Sequence, residues 1–314
     1  MVFCYLIQTH TDPLQILRLV ETIRRLSPEG RILVVHDATR TPLDPAPFLG
    51  IPAVDLLQRN VPVERSYFSM LLPLLEGIER LVERGRGDAD WDFDWLVFLT
   101  GQDYPTRPLR ELEASLASTQ YDGFLSFWGI EPGAPGSPWR PRQGGKRYLC
   151  QYVPLPAWTR GPLAAIRFLE KVSPLRFFPV YGPRIGWRPG KTPFDGPFRC
   201  YGGRPLWTLS RPCIEEVRRF LRERPDVVDW FRRTASPEEA LFHTALVNAG
   251  RFKLCPDDRR YTDYRGTRDG HPRTLGRADF ETIASGAYDF ARKFDTEKDS
   301  GILDLLDEKV LGLR

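Results

Sequence analysis

Trp95-Leu96-Val97-Phe98-Leu99, stopped by Thr100-Gly101-Gln102-Asp103, runs five apolar residues straight into a turn. A run with no polar alternation reads as a strand buried on both faces, the signature of a parallel sheet. Residues 3–8 (Phe3-Cys4-Tyr5-Leu6-Ile7-Gln8) and 31–35 (Arg31-Ile32-Leu33-Val34-Val35) have the same character, and the second ends in His36-Asp37. Between them Asp12-Pro13 supplies a helix cap and first-turn proline, and Ile16, Leu19, Val20, Ile23 and Leu26 mark one helical face. A proline-rich loop (42–52) and a helix over about 66–84 precede the third strand; a helix over 107–118 and a strand over 123–128 follow it. This alternation predicts an α/β fold, a mostly parallel central sheet flanked by helices. In such sheets ligands bind at the carboxyl ends of the strands, where Asp37 and Asp103 fall.

From 129 to 197 the rhythm breaks. Pro, Gly, Arg and Trp (Trp139, Trp158, Trp187, with Trp128 just before) dominate, and one helix near 162–172 is the clear element. A stretch this long without regular structure reads as a functional lobe. A strand at 206–209 and helices over 212–222 and 237–248 restore order; 257–276 reads as loop, with short helices near 279–285 and 300–307. The 314 residues read as one α/β domain.

Composition narrows the partners. Charged residues make up 27% and hydrophobic residues 41%, as in ordinary globular proteins. The net charge is +4 and the basic residues are scattered, which excludes a nucleic-acid binder's concentrated basic stripe. Some enrichment between 140 and 195 could meet an anionic ligand locally. Five cysteines, odd in number and without a C-x-x-C pair, read as reduced thiols of a cytoplasmic protein. No stretch approaches the ~20 apolar residues of a membrane span, and the start of the chain reads as lacking a secretory leader.

The absent motifs also matter: the sequence has no P-loop, no Gly-x-Gly-x-x-Gly and no nucleophile elbow. Asp92-Phe93-Asp94 has metal-ligand spacing, but it precedes its strand and should lie at the wrong edge of the sheet. It reads as a solvated turn, so neither a catalytic metal nor any other cofactor is expected. A phosphate leaving group would then need Arg or Lys, for which Arg265, Arg268, Arg273, Arg277, Arg292 and Lys293 are candidates. Ser236-Pro237-Glu238-Glu239 fits a capping box opening the 237–248 helix. That cap explains the spacing completely; a carboxylate fixed at a helix start could in addition act as general base, which would then need partial desolvation.

Together these segments resemble the core-2/I-branching β-1,6-N-acetylglucosaminyltransferases (glycosyltransferase family 14) and their relatives, the peptide O-xylosyltransferases. The resemblance rests on Gly101-Gln102-Asp103-Tyr104-Pro105, Trp207-Thr208-Leu209-Ser210-Arg211, Ser236 to His243, His271-Pro272-Arg273, and Phe290-Ala291-Arg292-Lys293-Phe294-Asp295, in order along the chain. It implies a GT-A-type fold, a UDP-sugar donor, inversion at the anomeric carbon and no metal requirement. Glu239 then matches the general base, Arg273 and Lys293 the basic pair at the donor diphosphate, and Asp37 and Asp103 the nucleotide-facing acids. Residues 1–128 become the nucleotide-binding half, 129–200 the loop-rich acceptor region, and 201–314 the base helix with the diphosphate segment. The implied reaction is GlcNAc transfer from UDP-GlcNAc to a hydroxyl of a glycan, protein or small molecule. Xylose transfer and a catalytically silent sugar-nucleotide-binding module are the alternatives. The family's Gly-Ser reads Gly203-Arg204 here, and 129–197 has no match, so acceptor identity does not carry over.

Overall fold

A computed structural model describes residues 1–178, 181–267 and 270–312 of the chain. Its strands in chain order are β1 (Phe3–Thr9), β2 (Arg31–Asp37), β3 (Val54–Arg59), β4 (Trp95–Thr100), β5 (Asp103–Pro105) and β6 (Gly123–Gly129). There follow β7 (Gln151–Pro154), β8 (Leu175–Phe178), β9 (Arg184–Trp187), β10 (Tyr201–Ser210), β11 (Leu254–Cys255), β12 (Arg260–Thr262) and β13 (Phe290–Arg292). The principal helices are α1 (Pro13–Leu26), α2 (Leu72–Gly87), α3 (Leu109–Ala117), α4 (Arg211–Glu223), α5 (Leu241–Ala249) and α6 (Gly301–Leu311).

The central sheet has the order β11-β6-β10-β4-β1-β2-β3, mostly parallel, with β10 antiparallel to both of its neighbours. β1 lies between β2 and β4, in register Leu6↔Leu33 with β2 and Leu6↔Phe98 with β4. Because side chains alternate across a strand, each run feeds two cores. Cys4, Leu6, Leu33, Val35, Leu96 and Phe98 pack under α2, α4 and α5. Tyr5, Ile7, Ile32, Val34, Val97 and Leu99 pack under α1, α3 and α6. The fold class thus follows from the apolar runs, as the sequence predicts.

Several elements depart from the sequence-based reading. Residues 54–59 form β3, an edge strand hidden by its mixed polarity. The helix expected from 66 begins later, because Ser66 adopts a left-handed φ of 64° and a 3-10 turn (Phe68–Met70) precedes α2. The 129–200 region contains a three-stranded antiparallel sheet, β7-β9-β8, and a short helix Gln143–Tyr148. The helix expected at 162–172 is an α segment Arg160–Ala165 continued as a 3-10 turn Ile166–Lys171. The loop expected at 257–276 contains β12. All five cysteines are free, and burial pushes the Cys4 and Cys213 thiols up to about 12. No helix among the described residues is long and apolar enough to cross a membrane.

A second sheet, β12-β13-β5, is joined to the first by Arg260. The β4–β10 ladder ends at Thr208↔Val97, and the next carbonyls along, Phe98 and Trp207, both accept from Arg260 Nη2 at 3.0 Å. Nη1 donates to Asp258 O at 2.5 Å. Arg260 is 4% exposed and desolvation lowers the pKa of its guanidinium, so the carbonyls offset part of the cost of burying it. Arg260→Met leaves two buried strand carbonyls without donors. We expect a loss of about 3 kcal/mol of stability, read as a lower denaturation midpoint in urea; an unchanged midpoint would remove Arg260 from this role.

Candidate functional site

The carboxyl ends of β1, β2 and β4 open into a cleft of about 1360 Å³. Its floor is Thr9-His10, Asp37 and Thr100-Gly101-Gln102, and its far wall is Glu238, Glu239, Arg292 and Lys293. The parallel part of the sheet therefore meets the C-terminal segment where the strand-end rule predicts a ligand.

Glu239 reaches the cleft from a 3-10 turn, Pro237–Glu239, that precedes α5. The capping box expected from its spacing does not form. Ser236 has a left-handed φ of 56°, its side chain caps nothing, and its Oγ lies 2.9 Å from Ser66 Oγ. Ser236 N also donates to Ser66 O at 3.1 Å, so two left-handed serines clasp each other and fix the turn. Tyr148 Oη donates to Ser236 O at 3.2 Å. Arg147, one residue earlier on the helix Gln143–Tyr148, forms an ion pair and hydrogen bond with Glu239. With side chains 16% and 26% exposed, this pair is shielded enough to hold the carboxylate in place.

Glu238 behaves differently. Its Oε2 is buried without a hydrogen-bond partner. Desolvation, then the charge of Glu239, pushes its carboxyl up to about 8. The turn thus carries one ion-paired carboxylate and one that keeps its proton at neutral pH. The folded chain holds a proton on Glu238 between about pH 4.5 and 8 that the unfolded chain releases, so this residue's contribution to stability is lost as pH rises through that window. Glu238→Gln should match the parent's stability near pH 5 and exceed it by at least about 1 kcal/mol near pH 9, read from urea midpoints. Equal midpoints at both pH values would contradict the shift.

Asp37 lines the cleft and is buried, accepting from Thr39 N at 3.0 Å, Thr39 Oγ1 at 2.5 Å and Val63 N at 3.2 Å. Desolvation raises its pKa, but these bonds more than offset it and hold the carboxyl below its usual value. Asp103 is not among the cleft-lining residues: its Oδ2 accepts from Thr100 N (2.5 Å) and Oγ1 (2.6 Å), closing the turn after β4. It pairs across the small sheet with Arg292, 3.6 Å from Nε. Asp103 therefore stands behind the cleft and orients Arg292, which does line it.

The candidate cations separate by partner. Lys293 lines the cleft beside Arg292, joined to it by a cis peptide. Arg273 does not line it; its guanidinium is paired with Asp263 and Asp279, tying the 263–279 segment together. Arg265 pairs with Asp263 and Arg277 with Asp299, while Arg268 lies outside the described residues. Asp92 and Asp94 lie at the amino end of β4, away from the cleft, bonded to Arg211 (3.1 Å) and Val2 N (2.7 Å). Trp128 and Trp139 pack edge to face at 5.3 Å as part of the interior. Sequence reasoning missed Arg147 and Glu238: no motif marks an arginine 92 positions from its carboxylate, and Glu238 is set apart from Glu239 by its buried, unpartnered Oε2.

No family model and no curated protein matches this sequence. Among solved structures the chain is similar to S. aureus TarS 1–349, at 12% identity over 82% of this chain and 58% of that chain, TM-score 0.39. It is similar to the same TarS region in complex with UDP at 12% identity, 90% and 63% coverage, TM-score 0.38. It is also similar to the galactosyltransferase LgtC in complex with donor and acceptor sugar analogs, at 10% identity, 98% and 96% coverage, TM-score 0.40. The chain spans less than two thirds of these TarS chains.

Proposed function

We propose that this chain is an inverting, metal-independent glycosyltransferase of GT-A type that moves a sugar, GlcNAc or alternatively xylose, from a UDP donor to an acceptor hydroxyl. The observation that carries the reading is the meeting of Glu239, Arg292 and Lys293 in one cleft at the carboxyl ends of the parallel strands. The ordered motif resemblance to the core-2/I-branching family supports it. In this mechanism Glu239 takes the acceptor's proton, and the acceptor oxygen attacks the anomeric carbon from the face opposite the diphosphate. The bond from that carbon to the phosphate oxygen breaks and UDP leaves with the electron pair. Lys293 and Arg292 meet the charge that grows on the leaving group, a stabilisation that acts mainly in the transition state. Asp37 faces the nucleoside, and Asp103 holds Arg292. Arg273, whose carboxylate partners occupy its guanidinium, serves by bracing the 263–279 segment. The reading includes a cytoplasmic location, suited to five free thiols.

Glu239→Gln decides the base assignment. Transfer should fall at least about 10²-fold, since a general base contributes about 10²–10⁴, while UDP titrates as in the parent; near-parental turnover overturns it. Lys293→Ala should weaken UDP binding about tenfold or more, the effect of losing one charged hydrogen bond of ~1.5–3 kcal/mol, whereas an unchanged titration moves the diphosphate elsewhere. Transfer should also persist in excess EDTA, and a strict metal requirement would overturn metal independence.

A further inference from the structure

Beside the cleft lies a second cavity of about 890 Å³, built from the 129–200 region. Six arginines line it: Arg140, Arg142, Arg167, Arg176, Arg188 and Arg199. Elsewhere most arginines of this chain are matched to carboxylates, but none of these six makes an ion pair among the described residues. The cavity's acids do not balance them. Glu170 is taken by Lys146 at 2.5 Å and by Phe177 N at 2.7 Å, and Asp195 by Thr192 N at 2.7 Å and Oγ1 at 2.9 Å. Glu131 is the third acid in the lining.

Gathering unmatched guanidiniums in one concavity concentrates positive potential where low-dielectric walls focus it. Arginine's planar fork matches phosphate and carboxylate oxygens two at a time. Gln143, Lys146 and Arg167 line both this cavity and the Glu239 cleft. Along the helix Gln143–Tyr148, Lys146 faces the arginine cavity and Arg147 grips Glu239. A molecule anchored among the arginines therefore extends towards the base.

We propose that this cavity is the acceptor subsite and that it selects an acceptor bearing several negative charges, phosphate or carboxylate, whose hydroxyl then reaches Glu239. The proposal rests on the transferase reading and names its substrate class. The test titrates the full chain, with the donor cleft saturated by UDP, with inorganic tripolyphosphate in one arm and citrate in the other. Arg140→Gln/Arg188→Gln serves as the variant, since both residues are exposed and neither lines the Glu239 cleft. We expect at least one anion to bind alongside UDP, with affinity at least tenfold weaker in the double variant and UDP affinity unchanged. Binding in the tripolyphosphate arm alone assigns a phosphorylated acceptor, and in the citrate arm alone a carboxylated one. Absence of binding in both arms, or binding that the double variant leaves untouched, overturns the subsite. UDP titrated by itself into the parent and the double variant reports on the transferase reading separately.

Discussion

The buried guanidinium of Arg260 is the interaction on which the site's geometry rests. β4 and β10 separate after Thr208↔Val97, and a parting ladder leaves carbonyls that cannot stay bare in a dry interior. Arg260 satisfies them and in doing so sets β12 against the central sheet. β12 pairs with β13, and β13 with β5, so the same contact determines where Arg292 and Lys293 meet the strand ends. Asp103 is the counterpart from the other direction. It closes the turn after β4 and opposes Arg292 across the small sheet.

The wall opposite follows a different logic. Adjacent carboxylates at 238 and 239 would repel if both were charged, and the fold resolves this by environment. Glu239 has Arg147; Glu238 is pushed out of water and keeps its proton. The left-handed serines at 66 and 236 hold the turn from below, so its direction is set by backbone clasps as well as by the helix that follows.

What the sequence discloses depends on how far a residue's partners lie along the chain. β1, β2 and β4 are legible because burial on both faces leaves continuous apolar runs, and α1 because Asp12 accepts from Gln15 N at 3.0 Å as a cap should. β3 is not, being an edge strand with Asp55, Gln58 and Arg59 in it. Two-to-four-residue strands such as β7, β11 and β12 carry too few residues for periodicity to register. At the site, Glu239 and Lys293 are found through motifs and share the cleft. Arg273 looks equivalent to them in sequence, yet Asp263 and Asp279 claim it, a pairing visible only once the 263–279 segment is folded. Spacing alone misassigns Ser236, because a capping box and a left-handed clasp have the same residues.

The pairing of β13 with β5 joins positions 290–292 to 103–105. A chain made from its amino end has β1, β2 and β4 complete long before β13 exists, so the strand ends can form while their facing wall is still missing. The cleft is thus among the last features to assemble, a late closure of high contact order. A partly synthesised chain therefore carries half a basin, and Arg292 and Lys293 reach its rim only when β13 has paired with β5.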